Sequence, residues 1–153
     1  MSQIQVIKRD GNKEPLDLDK LHTVVNYACQ DITGVSASEV EIRSHLQFYD
    51  GIKSVDIQET IIKSTADLIS EETPGYQYVA GRLINYHVRK QVYNAFTPWP
   101  LYKLVTRNVD IGMYDPALLT DWSEEEWNQL NGYIKHDRDE TLTYAGMEQF
   151  RGK

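Results

Sequence analysis

The sequence predicts a mainly α-helical fold, in which a small β-hairpin forms a lid over a bundle of about four helices and further helices follow. Short alternating segments flank Asp10-Gly11, and apolar residues then recur at helical spacing in four segments up to residue 95. The Thr97-Pro98-Trp99-Pro100 segment interrupts this helical pattern. It divides the chain into a first domain, residues 1–96, and a helical region, residues 97–153.

The predicted hairpin pairs residues 4–8 with residues 13–16. Asp-Gly is a favoured pair for a tight hairpin turn, because both residues tolerate a positive φ angle. Pro15 lacks a backbone N–H, so we expect the returning strand to lie at the edge of its sheet.

The first two helices are bounded by turn and capping residues. The first begins at about Asp17 or Asp19 and ends at Gly34, since glycine tolerates the left-handed conformation at a helix end. The second begins at Ser36, which is expected to form a capping box with Glu39. The predicted apolar faces are Leu21, Val24, Val25, Ala28 and Ile32 in the first helix and Val40, Ile42, Leu46 and Tyr49 in the second.

The third and fourth helices complete the predicted bundle. Ser54 is expected to cap the third, and Asp56 places a favourable negative charge in its first turn. The fourth covers about residues 76–95, and further helices are expected over residues 101–111, after a capping box at Ser123 and Glu126, and over residues 143–150. The inward faces are Ile57, Ile61, Ile62, Thr65, Leu68 and Ile69 in the third and Val79, Leu83, Tyr86 and Val92 in the fourth.

Composition excludes several classes of protein. The 153 residues contain 16 Lys and Arg against 23 Asp and Glu, a net charge of −7, which argues against a dedicated DNA or RNA binder. No apolar run approaches about 20 residues and no signal segment opens the chain, so we expect a cytoplasmic protein without a membrane partner. Cys29 is a single cysteine, which excludes an internal disulfide, and we expect a buried, inert thiol.

The sequence predicts no catalytic centre and no metal site. Glycine-rich phosphate loops are missing, and the four histidines lie far apart, as expected of surface or internally hydrogen-bonded residues. What remains is a set of cations, Lys8, Arg9, Lys20, Arg89 and Lys90. Their spacing alone favours an ordinary hairpin rim and an ordinary helix C-terminus. Lys20 nevertheless opposes the dipole of its helix, which a bound polyanion would offset.

Six segments carry a resemblance to a known family: Lys8-Arg9-Asp10-Gly11, Leu18-Asp19-Lys20, residues 43–52 (RSHLQFYDGI), Thr60-Ile61-Ile62-Lys63, Tyr76-Gln77-Tyr78 and His136-Asp137-Arg138-Asp139. Through them the chain resembles, from end to end, the N-terminus of the large (alpha) subunit of class Ia ribonucleoside-diphosphate reductase. Residues 1–96 resemble the ATP-cone domain of that subunit.

The resemblance implies an allosteric site for a nucleotide. In that family the cone controls overall activity: ATP permits turnover and dATP inhibits it, with Mg²⁺ carried by the triphosphate. The implied site residues are Lys8, Arg9 and Lys90 in contact with the triphosphate, Lys20 close by, Glu14 and Asp17 facing the adenine, Ile7, Leu21 and Ile57 as apolar walls, and Ser54, Gln58 and Tyr86 along the sugar and phosphates.

The resemblance also implies partners. They are the remainder of the alpha subunit, the beta subunit and further copies of alpha, with no nucleic acid among them. The catalytic barrel of the family is expected beyond residue 153, so this chain would be part of an oxidoreductase without being catalytic on its own.

Three positions depart from the family's pattern and keep alternatives open. Gln58 replaces a histidine and cannot be charged, Ser54 replaces a threonine, and Asp17 replaces an asparagine and cannot donate to the adenine ring. One alternative is therefore a protein–protein assembly module with a degenerate cone that no longer binds nucleotide. A nucleotide-responsive repressor is disfavoured, because such proteins pair the cone with a cysteine zinc ribbon.

Overall fold

The architecture combines a small mixed sheet with a larger helical layer. A computed structural model describes residues 3–152 and confirms the mainly helical fold with a small β lid. Its elements are β1 (Gln5–Ile7), β2 (Lys13–Pro15), α1 (Leu18–Cys29), α2 (Ala37–His45), β3 (Ile52–Lys53), α3 (Ser54–Ala66), α4 (Tyr76–Tyr93), α5 (Leu101–Asp110), α6 (Ala117–Thr120), α7 (Glu124–Tyr133), a 3₁₀ helix (His136–Thr141) and α8 (Tyr144–Arg151).

The sheet has the strand order β2–β1–β3. β1 and β2 form the predicted antiparallel hairpin, and Gly11 in its turn has a φ of 86°. Pro15 lies on the edge strand, as predicted. β3 pairs in parallel with β1 and places Lys53 opposite Ile7. The sequence does not predict β3, because a strand of two residues has no measurable periodicity.

The hydrophobic core forms where the apolar faces of α1–α4 meet. Each of these helices contributes a side chain with no exposed surface: Val25, Val40, Ile61 and Val79. Burial of one such side chain stabilises a fold by about 1.5–3 kcal/mol. Val6 of β1 and Ile52 of β3 belong to the same cluster, so the sheet is fixed to the helices by its central strand and by β3.

Two of the predicted helix caps differ from the structure. Ser36 accepts a hydrogen bond from the Glu39 N–H at 3.3 Å, but its own N–H donates to the Tyr76 hydroxyl at 3.0 Å, so half of the capping box forms. The predicted Ser54 cap is wrong: Ser54 is the first residue of α3, and Lys53 holds the cap position without a side-chain bond. The reason is that β3 continues directly into α3, which leaves no capping turn.

Helix ends and exposed faces also differ from the prediction. α1 ends at Cys29 and not at Gly34, since Asp31 already takes a positive φ of 61°, and Gly34 forms a later turn with a φ of 74°. Five apolar side chains that were expected on buried faces are 37% exposed or more: Ile42, Leu46, Tyr49, Ile69 and Val92.

The described residues form two compact units. The first contains the residues up to Val88 together with those from Asp139 onward, and the second contains Arg89–Arg138. α4 contributes to both units, and α8, which was predicted over residues 143–150, belongs to the first. The division into domains at residues 96 and 97 stays a prediction.

Within the second unit, α5 receives its N-terminal cap from another helix. Pro100 holds the cap position of α5 and has no side-chain oxygen. The Leu101 N–H therefore donates to Oδ1 of Asn131 in α7, at 3.0 Å. The capping box that Ser123 and Glu126 were predicted to form at the start of α7 is confirmed.

Candidate functional site

The hairpin presents two of the predicted cations at the end of β1. Lys8 forms an ion pair across the hairpin, with its Nζ 3.2 Å from Oε2 of Glu14, and both side chains are more than a third exposed. Arg9 is exposed, and its charge lowers the pKa of His87 on α4. The field of Arg9 therefore reaches the helix that carries Tyr86.

The N-terminus of α1 holds a second exposed ion pair. Asp17 is the N-cap and accepts a hydrogen bond from the Lys20 N–H at 3.1 Å. Its Oδ2 also lies 3.4 Å from Nζ of Lys20. The pKa of Asp17 is lowered, chiefly by the backbone hydrogen bond from Lys20; burial opposes this shift, and the side chain of Lys20 adds to it. The carboxylate of Asp17 thus offsets the unfavourable position of Lys20 in the helix dipole.

These two pairs have a common composition. In each, a cation predicted at or near the phosphates lies against a carboxylate predicted to face the adenine: Lys8 with Glu14, and Lys20 with Asp17. Exposed pairs of this kind contribute about 0–1 kcal/mol to stability. A charged ligand that separates them therefore meets little resistance.

The predicted apolar and polar linings lie on neighbouring elements of the first unit. Leu21, Ile57 and Tyr86 are buried members of one hydrophobic cluster. Ser54 and Gln58 are half-buried and four residues apart, so they share a face of α3. Ile7 is half-buried on β1, opposite Lys53. The fold therefore joins the hairpin directly to the start of the helix that carries Ser54 and Gln58.

Lys90 belongs to the second unit and is described with it. Its Nζ lies 3.3 Å from the Asn94 carbonyl oxygen and 5.2 Å from the ring centroid of Phe96. These contacts hold the ammonium group near the C-terminus of α4, where a positive charge favours the helix dipole. The contact of Lys90 with a triphosphate stays a prediction.

A charged network in the first unit was not predicted. His87 is almost fully buried, and its Nε2 lies 3.2 Å from Oε1 of Glu59 on α3. Arg151 of α8 donates to both carboxylate oxygens of Glu59, at 2.7 and 3.1 Å, and its Nε donates to Oε1 of Glu148 at 2.9 Å. The network joins three helices. The sequence carries no local signal for it, because Arg151 and Glu59 are 92 residues apart.

The charges of the network are coupled. Burial lowers the pKa of His87, the Glu59 carboxylate raises it, and the positive charges of Arg151 and Arg9 lower it further. Burial also acts to lower the pKa of Arg151, but hydrogen bonds with Glu59 and Glu148 outweigh it and raise that pKa. Glu59 is therefore shared between a permanent cation and a histidine whose charged form is disfavoured.

Two cavities lie elsewhere among the described residues of the first unit. One, of about 530 Å³, adjoins the network and is lined by Gln47, Asp56, Glu59, Thr60, Ile62, Lys63, Tyr144, Glu148 and Arg151. The other, of about 540 Å³, is lined by His22, Thr23, Asn26, Tyr27, Cys29, Gln30, Val35 and Ala37. Neither is lined by any of the predicted nucleotide contacts.

Other chemistry is limited in the described part of the chain. Burial raises the pKa of the Cys29 thiol to about 11, so the thiolate nucleophile is scarce at neutral pH. Within residues 3–152, no group of three or more His, Cys, Asp or Glu side chains is arranged to hold a metal ion. No described helix is both long enough and apolar enough to cross a bilayer.

Comparisons with known proteins bear on the first unit and on the whole chain. The family model of the ATP cone domain matches residues 4–91. "Ribonucleoside-diphosphate reductase 1 subunit alpha" of Escherichia coli strain K12 is 52% identical over 148 residues, which cover 97% of this chain and 19% of that relative. The subunit alpha of Haemophilus influenzae is 49% identical over 150 residues, or 98% of this chain and 20% of the relative.

A more distant relative shows the same pattern. The ribonucleoside-diphosphate reductase subunit alpha of Enterobacteria phage T4 is 37% identical over 155 residues, which cover all of this chain and 20% of the relative. The chain spans about a fifth of the length of the curated relatives that it matches. The chain belongs to the ATP-cone domain family, and it corresponds to the N-terminal region of ribonucleoside-diphosphate reductase alpha subunits.

Proposed function

We propose that this chain is the overall-activity domain of a ribonucleoside-diphosphate reductase alpha subunit, which binds ATP as activator or dATP as inhibitor and so controls deoxyribonucleotide synthesis. The observation that supports the proposal is the ATP-cone match over residues 4–91, a range that contains every predicted nucleotide contact. Catalysis belongs to other parts of the subunit. The role of the domain itself is to bind ATP and dATP with different consequences for activity.

The phosphate end of the proposed site consists of Lys8, Arg9, Lys20 and Lys90. A magnesium triphosphate keeps about two negative charges, and each charge-assisted hydrogen bond to it contributes about 1.5–3 kcal/mol. Lys8 and Lys20 are already held by exposed carboxylates at 3.2 and 3.4 Å, so they are oriented without being buried. Binding exchanges weak internal pairs for stronger bonds to phosphate.

The base and sugar end consists of carboxylates and apolar walls. Glu14 and Asp17, released from their lysines, accept from the adenine 6-amino group, while Leu21 and Ile57 contact the ring together with Ile7. Ser54, Gln58 and Tyr86 lie along the sugar, where ATP and dATP differ by one hydroxyl. Gln58 donates and accepts but carries no charge, so it contributes to this distinction by hydrogen bonding alone.

The proposed regulation is a linkage between nucleotide and assembly. dATP must bind one quaternary state more tightly than another, and the coupling free energy equals that difference in affinity. The states involve the remainder of alpha, further copies of alpha, and the beta subunit. Neither nucleic acid nor membrane has a part in the proposal.

The experiment is calorimetric titration of the 153-residue chain with ATP, dATP and GTP in the presence of magnesium. We expect micromolar binding of the adenine nucleotides and little binding of GTP. Lys8→Ala should weaken adenine-nucleotide binding by about tenfold or more, because it removes one charge-assisted bond. Lys13→Ala is the matched control, since Lys13 lies on the partner strand of the same hairpin and outside the proposed site.

A second function is favoured by a different observation. Ile42, Leu46 and Tyr49 expose 62%, 81% and 58% of their surface on and after α2, and grouped exposed apolar residues are typical of protein interfaces. Together with the Asp17 and Gln58 departures, this supports an assembly module with a degenerate cone. A folded chain that binds no adenine nucleotide, yet binds the beta subunit or the rest of alpha, would establish it.

A further inference from the structure

The chain returns to the ATP cone from the second half of the 3₁₀ helix onward. Residues 139–152, here named the return segment, belong to the first compact unit although the family match ends at residue 91. Met147 is buried in the core cluster, and Leu142 and Tyr144 pack against it. The cone of this chain is therefore larger than the family model.

Two residues of α4 fix the return segment in place. At Gly81 the backbone of Leu142 and Thr143 crosses α4 so closely that a Cβ atom would overlap the Leu142 carbonyl oxygen. The next residue, Arg82, donates from Nε to the Glu140 carbonyl oxygen at 3.3 Å and from Nη1 to the Gln30 carbonyl oxygen at 2.7 Å. Arg82 thus ties the segment to the C-terminal end of α1.

The return segment also contacts the proposed site itself. The hydroxyl of Tyr86, a predicted sugar contact, lies 3.5 Å from Oε1 of Glu140, at the long end of the hydrogen-bond range. The ring of Tyr86 is buried in the core, and its hydroxyl contacts the return segment. Any nucleotide contact to this hydroxyl must therefore compete with Glu140 or include it.

A second contact reaches the site through Glu59. Arg151 binds both oxygens of Glu59, and Glu59 in turn contacts the buried His87 at 3.2 Å. Glu59 directly follows Gln58 on α3, and His87 directly follows Tyr86 on α4. The two hydrogen bonds from the Arg151 guanidinium therefore orient Glu59 and, through it, His87. These two residues are the neighbours of the proposed sugar contacts Gln58 and Tyr86.

The hairpin and the return segment act on the same histidine. His87 feels the positive charges of Arg9 and of Arg151, although these belong to opposite ends of the chain. A polyanion bound by Arg9 weakens one of these two charges at His87 and leaves the other. The charge balance around Glu59 then differs between the free and the bound cone.

We propose that Arg151, acting through Glu59, and Glu140, acting through Tyr86, are positioning residues of the nucleotide site, and that the return segment carries the nucleotide signal out of the cone. This inference rests on the proposed function. Because linkage is reciprocal, removing the clamp from a segment that ATP and dATP clamp differently must change the ratio of the two nucleotide affinities.

The test uses the full chain and the substitution Arg151→Gln. ATP and dATP affinities are measured by calorimetry at a temperature where circular dichroism shows every variant folded. We expect Arg151→Gln to weaken at least one nucleotide by about five- to tenfold and to change the ratio of the ATP and dATP affinities. Arg43→Gln is the matched control, since Arg43 forms an exposed pair with Glu39 on α2 at 3.6 Å, and the affinities of this variant should stay within about twofold of wild type.

Two further measurements separate positioning from simple stability. In the wild-type chain, hydrogen exchange of residues 139–152 should differ between the ATP and dATP complexes. The double variant Glu59→Gln with Arg151→Gln should lose no more affinity than the larger single loss, because both substitutions break one connection. If Arg151→Gln does not fold, Glu140→Gln supplies the same comparison through Tyr86.

The outcomes distinguish this inference from the function on which it rests. If the wild-type chain binds neither ATP nor dATP, the proposed function fails and the inference fails with it. If the wild-type chain binds both nucleotides, while Arg151→Gln keeps both affinities within about twofold and exchange in residues 139–152 is the same in both complexes, the inference alone is overturned.

Discussion

The two charged regions of the first unit both pair basic side chains with carboxylates, but they do so in opposite ways. On the hairpin side, Lys8–Glu14 and Lys20–Asp17 are separate, exposed pairs at 3.2 and 3.4 Å. On the return-segment side, one carboxylate, Glu59, is shared by Arg151 and a histidine that is 2% exposed. The first arrangement leaves cations available to an outside ligand, and the second commits them to holding helices together.

Solvent is the physical reason for this difference. In water the attraction between two unit charges at 4 Å is about 1 kcal/mol, and separating them costs little. Where water is partly excluded, a broken pair leaves a poorly solvated charge behind. We therefore expect substitutions on the hairpin side to alter binding more than stability, and substitutions on the return-segment side to alter both.

The largest effect is expected where the return segment crosses α4. Gly81→Ala places a Cβ against the Leu142 carbonyl oxygen and should lower the free energy of unfolding by about 1–3 kcal/mol, more than the gain in helix propensity. Gly132→Ala is the control, because nothing lies within 4 Å of its Cβ position, and it should be neutral or stabilising by up to about 1 kcal/mol. Urea denaturation of both variants measures the difference; equal effects would contradict the close crossing.

Breaking the shared carboxylate is expected to have the next largest effect. Arg151→Gln removes the fork from Glu59 and should lower the free energy of unfolding by about 1–2 kcal/mol, a figure reduced because the Glu59 side chain is 44% exposed. Thermal denaturation at low and at high salt provides the measurement. A loss that disappears at high salt would mean that the pair behaves like the exposed hairpin pairs.

Acid should act on the return-segment side first. Burial lowers the pKa of His87 below its ordinary 6.5, so below that pH the unfolded chain binds a proton that the folded chain resists. Stability is therefore fully present above about pH 6.5 and decreases as the pH falls toward the lowered pKa. His87→Gln should flatten this part of the profile, because it removes the histidine whose pKa is lowered in the folded chain.

The pH range over which Asp17 affects stability lies lower than that of His87. Its pKa is lowered from 3.8, so its contribution is present above that value and is lost as the pH falls through the lowered pKa. Urea midpoints measured between pH 7 and pH 3 separate the pH range of His87 from that of Asp17.

If the stability profile of His87→Gln matches the wild-type profile from pH 7 to pH 5, the assignment to His87 is contradicted.

The smallest stability effect is expected on the hairpin side. Lys8→Gln removes one exposed pair and should change the free energy of unfolding by less than about 0.5 kcal/mol. The same variant should lose nucleotide affinity, which would separate binding from stability at one residue. A stability loss comparable to that of Arg151→Gln would abolish the distinction between the two regions.

Short-range sequence signals are sufficient to specify the local elements of this protein. Asp10-Gly11 specified the hairpin turn, Pro15 its edge strand, and Ser123 with Glu126 the start of α7, because each signal acts over a few neighbouring residues. Helical periodicity identified the helices of the bundle. The family segments pointed to the cone, and the matched residues 4–91 agree with them.

The partners that those elements receive depend on long-range packing. The Tyr76 hydroxyl takes the Ser36 N–H that the local pattern gave to Glu39, and Asn131 caps α5 from another helix. The connection from Arg151 to Glu59 spans 92 residues. Local patterns record propensities over a turn or two, whereas shared carboxylates and close backbone crossings depend on which distant segments the packed core brings together.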